Sequence, residues 1–176
     1  VKLVIVAYNS SKGKQMFNLL IGRGADPEAS AGDGKNLLFM SIEKKDTDTV
    51  KLLMQKGVNV NKKYSSGTYP LIHAIYKGNG AVIQSLITGG ANTNVTDDSG
   101  VTPLIAAVES KDIKTAEFLV KGGADVNVKS SSGKPLILVA FETNRIDVFN
   151  ILVSGGAKTS EVFNGNTLLH MSASGN

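Results

Sequence analysis

The chain has 176 residues, 41% of them hydrophobic, and a mean hydropathy of +0.01, which suits one domain with a sizeable core and argues against disorder. Nineteen basic residues against 15 acidic leave a net charge of +4; with Arg23 and Arg145 the only arginines and no aromatic-lined basic stripe, a nucleic-acid partner is not expected. The absence of cysteine excludes disulfide frameworks, cysteine-ligated zinc and thiol nucleophiles, and the apolar runs, Leu3 to Ala7 among them, fall far short of the roughly 18 residues a membrane helix needs.

In chain order, residues 1–33 form a degenerate first unit. It lacks an opening glycine and a proline, so its first helix is placed by position alone; its second closes on Gly24. Glycine then returns every 33 residues, at Gly34, Gly67, Gly100 and Gly133, with Gly165 one residue early. A second series, Gly24, Gly57, Gly90, Gly123 and Gly156, keeps the same interval. Two series in lock-step mean one small unit stacked several times. Full units span 34–66, 67–99, 100–132 and 133–164, and a half unit runs over 165–176, so 1–176 reads as a single array. The start at Val1 without methionine and the stop at Asn176 in mid-pattern suggest a piece of a longer protein.

Each unit opens on a turn and a short apolar helix: GKNLLFMSIEKKD from Gly34, GTYPLIHAIYKGN from Gly67, GVTPLIAAVESKD from Gly100, GKPLILVAFETNR from Gly133 and GNTLLHMSASGN from Gly165. In the Gly100 unit Thr102 can cap the helix, and Pro103 fits its first turn, where the missing N–H costs nothing. A polar corner such as Lys111-Asp112 leads to a second helix with apolar residues at helical spacing, for example Ile113, Ala116, Leu119 and Val120. That helix ends on the second glycine, which supplies left-handed backbone. Val58-Asn59-Val60-Asn61, Ala91-Asn92-Thr93-Asn94 and Ala124-Asp125-Val126-Asn127 then alternate small or apolar with polar residues, which predicts a short extended finger. Asn61, Asn94 and Asn127 are expected to hold each hairpin together. Neither helix buries its apolar stripe alone, so stability is expected to be nearest-neighbour in character.

Read together, glycine, Thr-Pro-Leu, a small-residue pair, Gly-Ala-Asp and Val-Asn, matched best over Gly100–Asn127, resemble the ankyrin-repeat family. The resemblance covers nearly the whole chain. It implies an all-α repeat solenoid of stacked helix-turn-helix repeats with projecting β-hairpin-like fingers, a concave recognition surface of finger tips and first helices, and a role in binding other proteins. It also implies a structural role for His170, the one residue at the family's histidine position. There are departures: only Gly100 keeps Thr-Pro together, Tyr69-Pro70 and Lys134-Pro135 replace it elsewhere, and the 156–165 finger is one residue short.

Chemistry is sparse. His73 lies in an apolar helix and reads as a satisfied, partly buried histidine. No His, Asp and Glu group has metal-ligand spacing, no phosphate-binding glycine loop follows a strand, and nothing brings a Ser-His-Asp set together. Catalytic residues, cofactors and metals are therefore not expected, and the chain reads as a non-enzyme. Partner-facing residues are expected at the exposed ends of the first helices, Glu43, Tyr76, Glu109 and Glu142, each followed by Lys44, Lys77, Ser110 or Thr143. Three of the four tyrosines, Tyr64, Tyr69 and Tyr76, cluster in one region, and with Lys63 and Lys77 they are expected to centre a recognition surface. Lys63, Lys129 and Lys134 beside Asp97 and Asp98 suit a mixed-charge protein partner. The function expected is a monomeric protein-interaction module in the cytoplasm, a secreted or periplasmic setting staying open. The alternative is a regulatory or structural segment of a larger enzyme, channel or secreted toxin or effector, packed on its own parent chain. Ile5, Val6, Leu168 and Leu169 mark apolar ends where copies could associate.

Overall fold

A computed structural model describes residues 2–10, 13–31 and 35–160. The chain divides into two compact units, Val1–Ala91 and Asn92–Asn176. Described residues of the first form α1 (Lys2–Asn9), α2 (Lys14–Gly22), α3 (Leu37–Glu43), α4 (Thr47–Gln55), α5 (Pro70–Lys77) and α6 (Gly80–Thr88). Those of the second form α7 (Pro103–Glu109), α8 (Ile113–Lys121), α9 (Leu136–Glu142) and α10 (Ile146–Ser154). The all-α repeat class predicted from the sequence is the one observed. Gly34, Gly165, Leu168, Leu169 and His170 lie outside the described residues.

Local chemistry starts and stops these helices on the 33-residue beat. Thr102 accepts from the Ile105 N–H with Pro103 in the first turn, as expected. Asn36 caps α3 through Phe39 N at 2.8 Å. Asp46 and Asp112 cap α4 and α8, each also accepting a threonine hydroxyl, from Thr49 at 2.7 Å and Thr115 at 2.6 Å. Where tyrosine or proline takes the capping position the side-chain cap is missing: neither Tyr69 nor Pro135 makes a side-chain capping bond. The corner between paired helices repeats a left-handed residue that composition did not flag: Lys45 (φ 55°), Gly78 (64°), Lys111 (57°) and Asn144 (52°).

The fingers are short and hairpin-like, as the resemblance implies, with antiparallel backbone pairing across their bases. No strand is assigned among the described residues, only isolated bridges at Ser30–Asn36 and Lys129–Pro135. Four fingers are closed by a backbone bond from residue i to i+4, Ala31 to Lys35, Tyr64 to Thr68, Asp97 to Val101 and Ser130 to Lys134, at 2.8–3.0 Å. The recurring asparagines reach across to the next finger. Asn61 Nδ2 donates to Gly90 O at 3.0 Å within the first unit. In the second unit Asn94 Nδ2 donates to Gly123 O and its Oδ1 accepts from Asp125 N at 2.7 Å; Asn127 Oδ1 accepts from Lys158 N at 2.9 Å. These side chains tie one finger to the next, meeting backbone groups that a turn leaves without ladder partners.

Burial follows the same logic. In the first unit α3 packs on α5 and α4 on α6, with Leu38, Leu53, Ile72 and Leu86 removed from water; full burial of such a side chain contributes about 1.5–3 kcal/mol. In the second unit α10 packs on α8, and a Cβ on Gly155 would lie 2.6 Å from Val120 Cγ1 and 2.7 Å from Val126 Cγ1. Arg145 Nη1 donates to Val108 O at 2.7 Å, linking successive repeats there.

The left-handed corner is testable by itself, because a Cβ on Gly78 would meet nothing within 4 Å. Gly78→Ala is expected to lower unfolding stability by about 1 kcal/mol through backbone strain alone. Gly80→Ala, two residues on and at ordinary φ, is expected to leave stability unchanged or raise it by a few tenths of a kcal/mol. Urea unfolding of the two variants checks both.

Candidate functional site

The tyrosine-rich region of the first unit builds one continuous side-chain cluster from α3, α5 and the finger over 58–69. Glu43 ends α3, and its Oε1 lies 2.7 Å from His73 Nε2 and 2.8 Å from Lys77 Nζ. The His73 ring lies 4.5 Å from Phe39 and 5.9 Å from Tyr64, and Phe39 and Tyr64 meet edge-on at 5.0 Å. Lys35 Nζ stands 5.7 Å from the Phe39 centroid, and Lys63 Nζ 5.5 Å from that of Tyr69. Tyr76, at the end of α5, is 50% exposed.

Several expected site residues land here, in different roles. Tyr69, Tyr76, Lys77, Lys63 and Glu43 lie at or near the surface of this region. Tyr64 does not: its ring is 8% exposed and locked between Phe39 and His73. It is a core residue of the finger base, and the recognition role expected for it is corrected. Its hydroxyl is buried without a hydrogen-bond partner, and burial, with the Glu28 carboxylate adding to it, drives the phenol far above its ordinary range.

Lys44 is drawn back towards α1. Its Nζ donates to Tyr8 O and Asn9 Oδ1, both at 3.0 Å, and sits 4.2 Å from the Tyr8 ring centroid. It serves to hold successive repeats together, a role that sequence spacing did not separate from partner binding. In the second unit Glu109 and Ser110 are exposed at the end of α7. Glu142 is engaged by Lys134 at 2.6 and 2.9 Å, so neither side chain is the plain solvated charge that its position suggested. Glu43 is likewise paired, with Lys77 at 2.8 Å.

Phe39 and Lys35 were missed. The register held the signal, since Phe39 stands where Ile72, Ile105 and Leu138 stand in later repeats, an aromatic where the pattern has aliphatics. Among the described residues no three His, Cys, Asp or Glu side chains converge as a metal site would require, and no helix is long and apolar enough to cross a membrane.

A family model described as ankyrin repeats, three copies, matches residues 3–97, 45–130 and 71–162. No curated protein matches the chain.

The Glu43–His73–Lys77 contact makes a pH prediction. Burial holds His73 below the ordinary histidine value of 6.5, partly opposed by the Glu43 carboxylate; Glu43 is itself lowered, first by the hydrogen bond from Lys77. Both shifts are depressions, so the unfolded chain binds protons first. The stability they provide is complete above 6.5 for the histidine and above the usual glutamate range for Glu43, and is lost as pH falls through the folded values. NMR titration of His73 is expected to give a midpoint below 6.5, falling further in Glu43→Gln. A wild-type midpoint above 6.5 contradicts this.

Proposed function

The chain belongs to the ankyrin-repeat family, and from that footing we propose that it is a non-catalytic module that binds a protein partner through the finger and first-helix side of its repeats. Ankyrin repeats are generally protein–protein interaction modules. The observation that supports a particular place on this chain is the half-exposed Tyr76 beside Lys77, whose ammonium is fixed by Glu43. Tyrosine offers a large amphipathic contact area at low entropic cost, and it is enriched among residues that carry binding energy. The ion pair and the packed Phe39–Tyr64–His73 cluster hold the surroundings rigid, which reduces the ordering cost of association. Tyr69 and Lys63 extend the surface onto the finger; Tyr64 and Lys44 support it without meeting the partner. Glu109, Ser110 and Glu142 are proposed as further partner contacts on the second unit.

A photo-crosslinking residue at position 76 would capture the partner for titration. Tyr76→Ala is then expected to weaken binding by about 2 kcal/mol, roughly thirtyfold in Kd, with unchanged helical content and unfolding midpoint. Tyr64→Ala is expected to lose about 3 kcal/mol of stability instead. Unchanged affinity in the Tyr76 variant removes that residue from the site.

A further inference from the structure

Among the described residues eight large apolar side chains stand exposed, and four of them belong to the first helix pair: Leu3 (64%) and Val6 (63%) on α1, Met16 (51%) and Leu19 (50%) on α2. Single exposed apolar residues are ordinary on protein surfaces; four on two helices packed against each other are not. The 33-residue register shows what these positions do elsewhere. Met16 corresponds to Thr49, Val82 and Val148, all buried; Val6 corresponds to the buried Ile72 and Leu3 to the buried Asn36; Leu19 corresponds to the buried Ser85 and to the half-buried Leu52, Phe118 and Ile151. In the first unit α5–α6 have α3–α4 packed against them, and in the second α10 has α8. The α1–α2 pair carries the same face with no described pair ahead of it.

We propose that α1–α2 is built as an interior pair of the stack, and that Leu3, Val6, Met16 and Leu19 form a docking face for one further helix pair of the same repeat type, in register ahead of α1 in the same polypeptide. A terminal capping pair carries polar residues on its outer face; this pair carries leucine, valine and methionine at four such positions. The occupant would meet it with the side chains that α3–α4 turn towards α5–α6. Met54 is one of these, its Cε reaching the backbone at Gly89 in α6's C-cap. The proposal is independent of where a protein partner binds, because these four side chains are not among those assigned to that surface.

Val1 corresponds to Gly34 in the register, so a copy of residues 34–66 joined directly ahead of Val1 keeps the spacing across the joint. In that fusion, amide exchange in α1 and α2 is expected to slow by about tenfold or more, and the urea midpoint to rise. The same fusion carrying Met16→Gln and Leu19→Gln is expected to lose most of that gain. The unfused double variant, which changes only exposed side chains, keeps its circular dichroism and midpoint and so separates lost docking from lost folding. No slowing in the wild-type fusion, or an equal gain in the double variant, overturns the proposal. So does a wild-type dimer in sedimentation equilibrium that the double variant abolishes, because the face would then belong to a second copy.

Discussion

The structure depends on burial between successive helix pairs. Its helices are seven to nine residues long, short of the length at which an isolated helix holds in water. A single pair has too little interior to offset the conformational entropy of ordering it. Packing α4 on α6, or α8 on α10, brings that burial to both partners at once. The polar groups obey the same constraint. Asn61, Asn94 and Asn127 satisfy backbone atoms of the following finger, and Lys44 and Arg145 reach carbonyls of the preceding repeat at Tyr8 and Val108. Apolar and polar contacts alike therefore run between neighbours.

This constraint frees the finger and first-helix side for other work. Because the core is spread along the repeats, an exposed residue such as Tyr76 can vary with little effect on folding. Supporting residues lie immediately beneath them: Tyr64 looks like a surface tyrosine in the sequence yet fills the finger base, while Tyr76, twelve residues later, stays in water. The His73–Glu43 contact crosses from one repeat to the next, so the rigidity of this surface is coupled to the stacking itself.

Much of the fold was legible in the sequence, because glycine and proline mark backbone geometry directly. Gly57, Gly90, Gly123 and Gly156 all have positive φ just beyond a helix end, and Thr102-Pro103 caps and starts α7 as its chemistry requires. The fingers were legible as hairpin-like turns, but the asparagine side chains reach further than local pairing suggested. The left-handed corner was hidden because lysine at positions 45 and 111 gives no compositional sign of its backbone; only alignment with Gly78 and Asn144 exposes it. The candidate site was legible as a region and not residue by residue. Whether a tyrosine points into the finger or out of it depends on tertiary contacts with Phe39 and His73, which periodicity does not encode.

The dependence on neighbours is tested most directly by circular dichroism of a peptide of residues 67–99, one complete repeat with α5 and α6, beside the whole chain under the same conditions. The account predicts a peptide without cooperative melting and with little helix in water, against a folded full-length chain. A peptide that is helical and melts cooperatively would contradict it.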